Sequence, residues 1–384
     1  MEPSRTRPAV TELRLSAFTS HRGAAFPLGP LTLFTGASGS GKTTALRAYE
    51  SLARLGAGAP LGEAFPDAAA CVPERAAADA QGRRGFRIGC TVDGPAGPVR
   101  LDLAVQAEPE LRIVGERLTG GDQTLLATAL RDPGRRTVQA AWHTAGAVPV
   151  TRAPLPDDRL GTALLPLRVA GRTQGQLRVL AAAEQAVLAL RSVLVCDPQP
   201  QLMRRPVAAG RERLGRGCEN LPAVLDRLLG RALDPHGALL ARLAAAARAG
   251  CAGPVTELAV ERLADGTVRA LLARDDSGVR AATPLERLGE GELRYLALAL
   301  VLLTGVSTPG VVRPAGPGEV DPALRSLTVL ADGFDRSLDR RQARELLSLA
   351  AGVCAEGGLR LVGTVADASC VRGTAGATVV DLTP

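Results

Sequence analysis

Short apolar runs broken by glycine and proline dominate the first hundred residues, and they alternate as half-buried strands do. Residues 10–15 and 31–35 read as paired strands joined through a turn at Pro27-Leu28-Gly29-Pro30. Residues 44–55 switch to helical spacing, with Leu46, Tyr49, Leu52 and Leu55 on one face and a stop near Gly56. Glycine, proline and alanine crowd residues 56–85, the composition of an irregular surface connection. Residues 86–92 and 99–105 alternate on either side of a glycine- and proline-rich turn, the pattern of a hairpin, and 111–118 adds another strand.

From about 116 to 250 the pattern turns helical. Residues 174–195 are rich in alanine and leucine, and 221–248 read as two helices broken at Asp234-Pro235. Prolines at nine positions between 149 and 235 exclude a sustained heptad run, so this block is expected to be a compact helical insertion and not a long coiled coil. Strands return at 255–263 and 267–273 around Asp265-Gly266. Residues 285–303 read as a glycine turn entering a mostly buried helix, and 308–322 as a loop. Then come an apolar strand ending in Asp332, a helix over 338–355, and strands at 359–364 and 378–382 that close a sheet. The expected division is 1–115, 116–250 and 251–384, the insertion separating two parts of one α/β head.

One stretch changes this picture from architecture to chemistry. Gly36-Ala37-Ser38-Gly39-Ser40-Gly41-Lys42-Thr43, followed by Thr44, lies between an apolar strand and a helix and fits the phosphate-loop pattern G-x-x-x-x-G-K-[ST]. Glycines let backbone N–H groups curl around an anion, and the helix N-terminus adds partial positive charge. The competing reading is an ordinary glycine turn. Composition weighs against it: Lys42 is the only lysine among 46 lysines and arginines. A compact ammonium fits between phosphate oxygens where a planar guanidinium does not. The expected ligand is a nucleoside triphosphate. A magnesium ion would take the Thr43 hydroxyl and an aspartate at the end of a buried strand, and Asp332 has that setting. Helix capping is the alternative for Asp332, a role that Asp335 or Asp339 fits better. Guanine recognition by an Asn-Lys-x-Asp loop needs a second lysine, so ATP is the expected nucleotide.

Bulk properties restrict the remaining classes. With 46% hydrophobic and 22% charged residues the chain is globular, and 2% aromatic content argues against a base-stacking platform. A net charge of +7 permits a polyanionic partner. The densest basic run is Arg204, Arg205, Arg211, Arg213 and Arg216, diluted by Glu212, and reads first as a solvated surface, because the excess is modest for this length. Seven scattered cysteines without a C-x-x-C pair suggest reduced thiols, and the three histidines have no metal spacing. The first residues lack an apolar signal region, and the apolar run 296–303 is too short to span a bilayer, so a cytoplasmic location is expected.

With these residues in view, the chain resembles the ABC-type ATPases, and within them the SMC/RecF-like branch. Gly289-Glu290-Gly291-Glu292 at a helix start is similar to the signature motif, and Asp332 to Asp339 to the Walker B segment and D-loop. The resemblance covers most of 10–115 and 254–384. It implies a P-loop NTPase fold, ATP and Mg²⁺ as cofactors, and a head-to-tail homodimer. In that dimer Gly289, Gly291 and Glu292 of one copy would close over ATP held by the other. The departures also carry information. Gly289 stands where the family has a serine that touches the γ-phosphate. Gly333 stands where it has the glutamate that handles the attacking water, and Val365 where it has a histidine. Loss of such a carboxylate costs about 10²–10⁴ in rate, so ATP is expected to act mainly as a glue. Asp335 and Glu290 are the candidate substitutes for the base. Two functions follow: a nucleotide-gated switch for a protein partner, or an ATP-hydrolysing DNA-associated enzyme of repair, chromosome maintenance or phage defence. Phe18, Phe26 and Arg22 are adenine candidates by position alone.

Overall fold

Which face of each strand is apolar decides how this chain divides into layers. The computed structural model describes residues 7–144, 150–210, 213–230, 237–276, 279–307 and 326–383. The expected loop at 308–322, the break at Asp234-Pro235, and residues Arg211 and Glu212 lie outside the described residues.

Strands β1 (Ala9–Ser16) and β2 (Ala24–Pro27) form a hairpin, and β3 (Leu31–Thr35) leaves it for another sheet. After helices α1 (Lys42–Gly56) and α2 (Leu61–Ala64) the chain returns as β4 (Arg84–Asp93) and β5 (Val99–Glu108). Four more strands follow: β6 (Arg112–Gly120), β7 (Gln123–Ala129), β8 (Thr137–His143) and β9 (Val150–Pro156). Together they build an antiparallel sheet of order β2-β1-β4-β5-β6-β7-β8-β9. Leu13, Leu15, Ile88, Leu101 and Leu103 fill its inner face, while alternate positions such as Arg87 and Arg100 are exposed.

Two expectations are corrected here. β1 pairs with β2 and β4 and not with β3. Between 116 and 156 the described residues are built on strands β6 to β9 and do not begin a helical block. Their period-two alternation is present in the sequence, with Val138, Ala140 and Trp142 inward and Gln139 and Ala141 outward. Alanine on both faces blurs it, because alanine is nearly neutral between burial and exposure. The connection over 56–85 is also more built than its composition suggests: Leu61, Phe65 and Val72 are buried.

After the antiparallel sheet, helical structure resumes at α3 (Gly161–Leu164) and continues with α4 (Gln174–Arg191), whose N-cap Thr173 accepts from Gln176 N at 3.2 Å. Glu116, on β6, sets the entry to α3. It is 3% exposed, accepts from Gly161 N and Thr162 N at 2.6 Å each, and also bonds the Thr162 hydroxyl. Burial holds its carboxyl above the usual carboxylate range, partly offset by the Thr162 and Gly161 hydrogen bonds. Next, β10 (Val193–Val195) is a strand where the sequence pattern suggested continued helix.

The chain then runs through α5 (Pro200–Met203), β11 (Val207–Ala208), α6 (Leu221–Gly230) and α7 (Gly237–Gly250). β12 (Val255–Arg262), β13 (Thr267–Asp276) and β14 (Val279–Pro284) lead to α8 (Glu290–Ser307). β15 (Leu327–Ala331), α9 (Arg340–Glu356), β16 (Leu359–Thr364) and β17 (Ala377–Asp381) follow. Strands β11 to β14 form a small antiparallel sheet against α6 and α7. Asp339 accepts from Gln342 N at 2.8 Å as the N-cap of α9, the capping role expected of it.

The central sheet is parallel, of order β10-β15-β16-β3-β17. Both its faces are covered, which is why its strands read as continuous apolar runs. Phe34, Leu330, Val362 and Val380 pack into the core shared with α1, α4 and the antiparallel sheet. Leu31, Leu33, Val329 and Leu361 pack into a second core with α6 to α9. The phosphate-type loop therefore leaves the carboxyl end of β3 between β16 and β17, on a sheet held from both sides. No helix among the described residues is long and apolar enough to cross a membrane.

Candidate functional site

The loop after β3 has left-handed backbone at Gly36, Gly39 and Gly41, with φ of 136°, 82° and 97°. Gly41 is the N-cap of α1, and a Cβ there would lie 2.6 Å from His21 Nε2, so only glycine fits. His21 contacts the Gly41 carbonyl at 3.1 Å and packs edge-on against Phe26, bracing the loop from behind. Lys42 opens α1, and its Nζ donates to Gly36 O at 2.6 Å and Ala37 O at 2.9 Å. The ammonium thus sits within the curl of its own loop. The buried Ser40 Oγ has no hydrogen-bond partner among the described residues.

Asp332 follows β15 directly. The Thr43 hydroxyl lies 3.0 and 3.1 Å from its two oxygens. Thr364, the last residue of β16, donates to Asp332 Oδ1 at 2.7 Å and accepts from Gly333 N at 2.7 Å. A cleft of about 530 Å³ opens here, lined by Ser38, Gly39, Ser40, Gly41, Lys42, Thr43 and Thr44 on one side. Asp332, Gly333, Asp335, Arg336, Ser337, Thr364, Val365 and Ala366 line the other. A hydroxyl and a carboxylate converging beside an amide-rich loop form a hard oxygen donor set, suited to Mg²⁺ and phosphate. The orphaned Ser40 hydroxyl offers one more group to an anion.

The signature-like residues lie elsewhere. Gly289, Glu290, Gly291 and Glu292 do not line this cleft. Gly291 packs against the Ser337 backbone, where an added Cβ would come within 2.5 Å of the carbonyl. Glu292 accepts from Gly289 N at 3.1 Å and Ala252 N at 2.9 Å, and Glu290 accepts from Gln201 at 3.1 Å. Asp335 lines the cleft, but its oxygens accept from Ala366 N and Asp367 N at 2.9–3.0 Å, tying the turn after β15 to the loop after β16. Val365 is buried and donates its N–H to Phe34 O.

Searches of known proteins bear on the fold. No family model matches the sequence, and no curated protein does. A crystal structure of an Smc head bound to the C-terminal winged-helix domain of ScpA matches 97% of this chain and 94% of its own. Identity is 14% and the TM-score 0.51. The Smc head of Pyrococcus furiosus with an extended coiled coil, bound to the C-terminal domain of ScpA, covers 97% and 93% at 10% identity and TM-score 0.51. The chain has the fold of an SMC head. At these identities the likeness is one of fold.

The contacts of three residues near the cleft were not read from the sequence, although Thr364 directly precedes Val365 and Arg336 lies within the Asp332–Asp339 segment. Thr364 holds Asp332 in place, His21 supports Gly41, and Arg336 reaches over Gly333. His21 belongs to no motif, and only the tertiary fold shows what each of the three touches. Phe18 and Phe26 are buried among other aromatic rings, with centroids 5.1 Å from Phe86 and 5.3 Å from Phe34, so neither presents a face to a base.

Proposed function

We propose that this protein binds MgATP in the cleft beneath the β3–α1 loop and that ATP closes a pair of copies. The observation carrying this reading is the convergence of Thr43 and the two Asp332 oxygens at the mouth of the loop that encloses Lys42. Lys42 and the loop N–H groups would hold phosphates, and Thr43 and Asp332 would hold Mg²⁺. The ion would supply positive charge that offsets the charge of the phosphates. Gly289, Gly291 and Glu292 lie outside the cleft of their own chain, a placement consistent with a role toward a second copy. Hydrolysis is slow in this reading. Gly333 brings no carboxylate, Asp335 is engaged by backbone amides, and Glu290 lies away from the cleft.

Light scattering tests the pair directly. The apparent mass doubles on adding ATP with Mg²⁺, and kcat stays below about 1 s⁻¹, under the usual range of working enzymes. A mass indifferent to ATP removes the switch, and a faster kcat removes the slow-hydrolysis reading. Both SMC heads above were bound to domains of ScpA, and a protein partner for the closed pair is part of this proposal.

A second reading, a DNA-associated ATPase, is favoured by the outer face of the antiparallel sheet. A groove of about 620 Å³ there is lined by Arg14, Arg87, Arg100 and Arg117. Register places Arg14, Gly89, Asp102 and Arg117 in one row across four strands. Arg14 and Arg100 pair with Asp102, whereas Arg87 and Arg117 make no ion pair among the described residues. In this reading the protein binds duplex DNA at low salt, more tightly with ATP, and log affinity falls linearly with log salt. Absence of binding at 50 mM salt ends it.

A further inference from the structure

Gly333 is the position at which the resemblance predicts a water-handling glutamate, and the space beside it is occupied. The Arg336 guanidinium lies over Gly333: a Cβ built there would meet Arg336 Nε at 2.8 Å and Nη2 at 2.9 Å. Gly333 is in the left-handed region, with φ of 62°. Both facts favour glycine. A carboxylate position has become the seat of a guanidinium contributed from three residues on.

That guanidinium is weakly held. Its nearest carboxylates are Asp197 Oδ1 at 3.7 Å and Asp332 Oδ2 at 4.0 Å, both beyond hydrogen-bond distance. Asp197 is already engaged by the buried Arg294, which faces it at 3.5 Å and donates to Gly333 O at 3.0 Å and to Pro198 O. The Arg336 side chain is 53% exposed and lines the cleft opposite Lys42. Its donors make no hydrogen bond among the described residues. Two arginines thus share two carboxylates. A metal ion at Asp332 would withdraw one of those and leave Arg336 with excess positive charge and free N–H groups. A guanidinium presents a planar fork matched to two phosphate oxygens.

We infer that Arg336 recognises the terminal phosphate of the bound nucleotide, so that the cleft distinguishes a triphosphate from a diphosphate by a cation. The inference rests on the MgATP reading above. Thr43 and Asp332 would hold the metal, Lys42 and the loop would hold phosphates, and Arg336 lines the same cleft beside Asp332. Arg336 gives the terminal phosphate charge stabilisation, and it supplies no base for the attacking water.

The test is displacement of a fluorescent ADP derivative by the β,γ-imido analogue of ATP and by ADP, each with Mg²⁺. Arg336→Ala weakens the triphosphate analogue about 10- to 100-fold, the range of a lost charge-assisted hydrogen bond, and changes ADP by less than about twofold. Arg336→Lys restores part of the difference. A half-exposed arginine is removable without unfolding, and an unchanged melting temperature checks this. Equal losses for both nucleotides, or none for either, overturn the inference while leaving the MgATP reading intact. If the wild-type protein binds neither nucleotide, the MgATP reading fails and this inference with it.

Discussion

Lys42→Arg lowers affinity for MgATP by about two orders of magnitude although the charge is kept. The wild-type ammonium makes contacts of 2.6 and 2.9 Å with Gly36 O and Ala37 O, within a loop whose three glycines follow left-handed backbone. A longer planar group cannot occupy that curl without opening it, and its five donors diverge from the centre where an anion would lie. A hundredfold loss is about 2.7 kcal/mol, comparable to one or two charge-assisted hydrogen bonds. The chain uses arginine at every other basic position, so a site indifferent to the cation's shape had no evident reason to keep lysine. Displacement of a fluorescent ATP derivative measures the effect, with the melting temperature as the control for folding. Binding within threefold of wild type shows that Lys42 is not a phosphate ligand.

Glu116→Ala destabilises the fold by about 3–5 kcal/mol. The substitution removes one buried carboxylate and orphans three donors: Gly161 N, Thr162 N and the Thr162 hydroxyl. These lie at the start of α3, where β6 and the first helical turn after the antiparallel sheet meet. Glu116→Gln costs less, since the amide retains one acceptor oxygen, but its NH₂ must face a donor. The two variants also differ from wild type in pH response. Burial raises the folded carboxyl above its unfolded value, so the folded protein binds the proton more tightly than the unfolded chain. That contribution is fully present below the unfolded pKa and is lost as pH rises through the folded one. Urea unfolding across pH 4–8 measures both effects. The Gln variant lacks this slope, and an Ala variant as stable as wild type would show that the three donors find water or other partners.

The two predictions differ in how visible their residues were before the fold was known. Lys42 lies in a contiguous motif whose glycines are required by local backbone geometry, so its sequence context already specifies a loop. Asp332 was legible for a related reason, an apolar strand ending in one polar residue. Glu116 carried no such signal, because a carboxylate within a strand reads as solvent-facing until the helix it caps is in place. β3 was recognised as a strand yet given the wrong neighbour. Hydrophobic pattern reports burial and says nothing of which strand lies alongside, and a short turn was a misleading guide. β10, three residues long, is below the length at which alternation can be distinguished from the end of a helix. Arg336 illustrates the remaining gap: the sequence revealed that Gly333 lacks a carboxylate, but only the fold shows what fills the space.

The placement of β3 also bears on when the cleft comes into existence. Leu31 pairs with Leu361 on one side and Ala377 on the other, so the strand bearing the loop is laid down early and meets both its neighbours last. At about 5–20 residues per second, synthesis leaves this segment without its sheet for tens of seconds. Closing contacts so distant along the chain is also intrinsically slow. During that interval a nascent chain displays every residue of the phosphate loop but none of the carboxylate and hydroxyl support from Asp332 and Thr364. The complete cleft, with Asp332 and Thr364 beside the loop, therefore comes into being only once the second half of the chain has been made and β15 and β16 have joined β3 in the sheet.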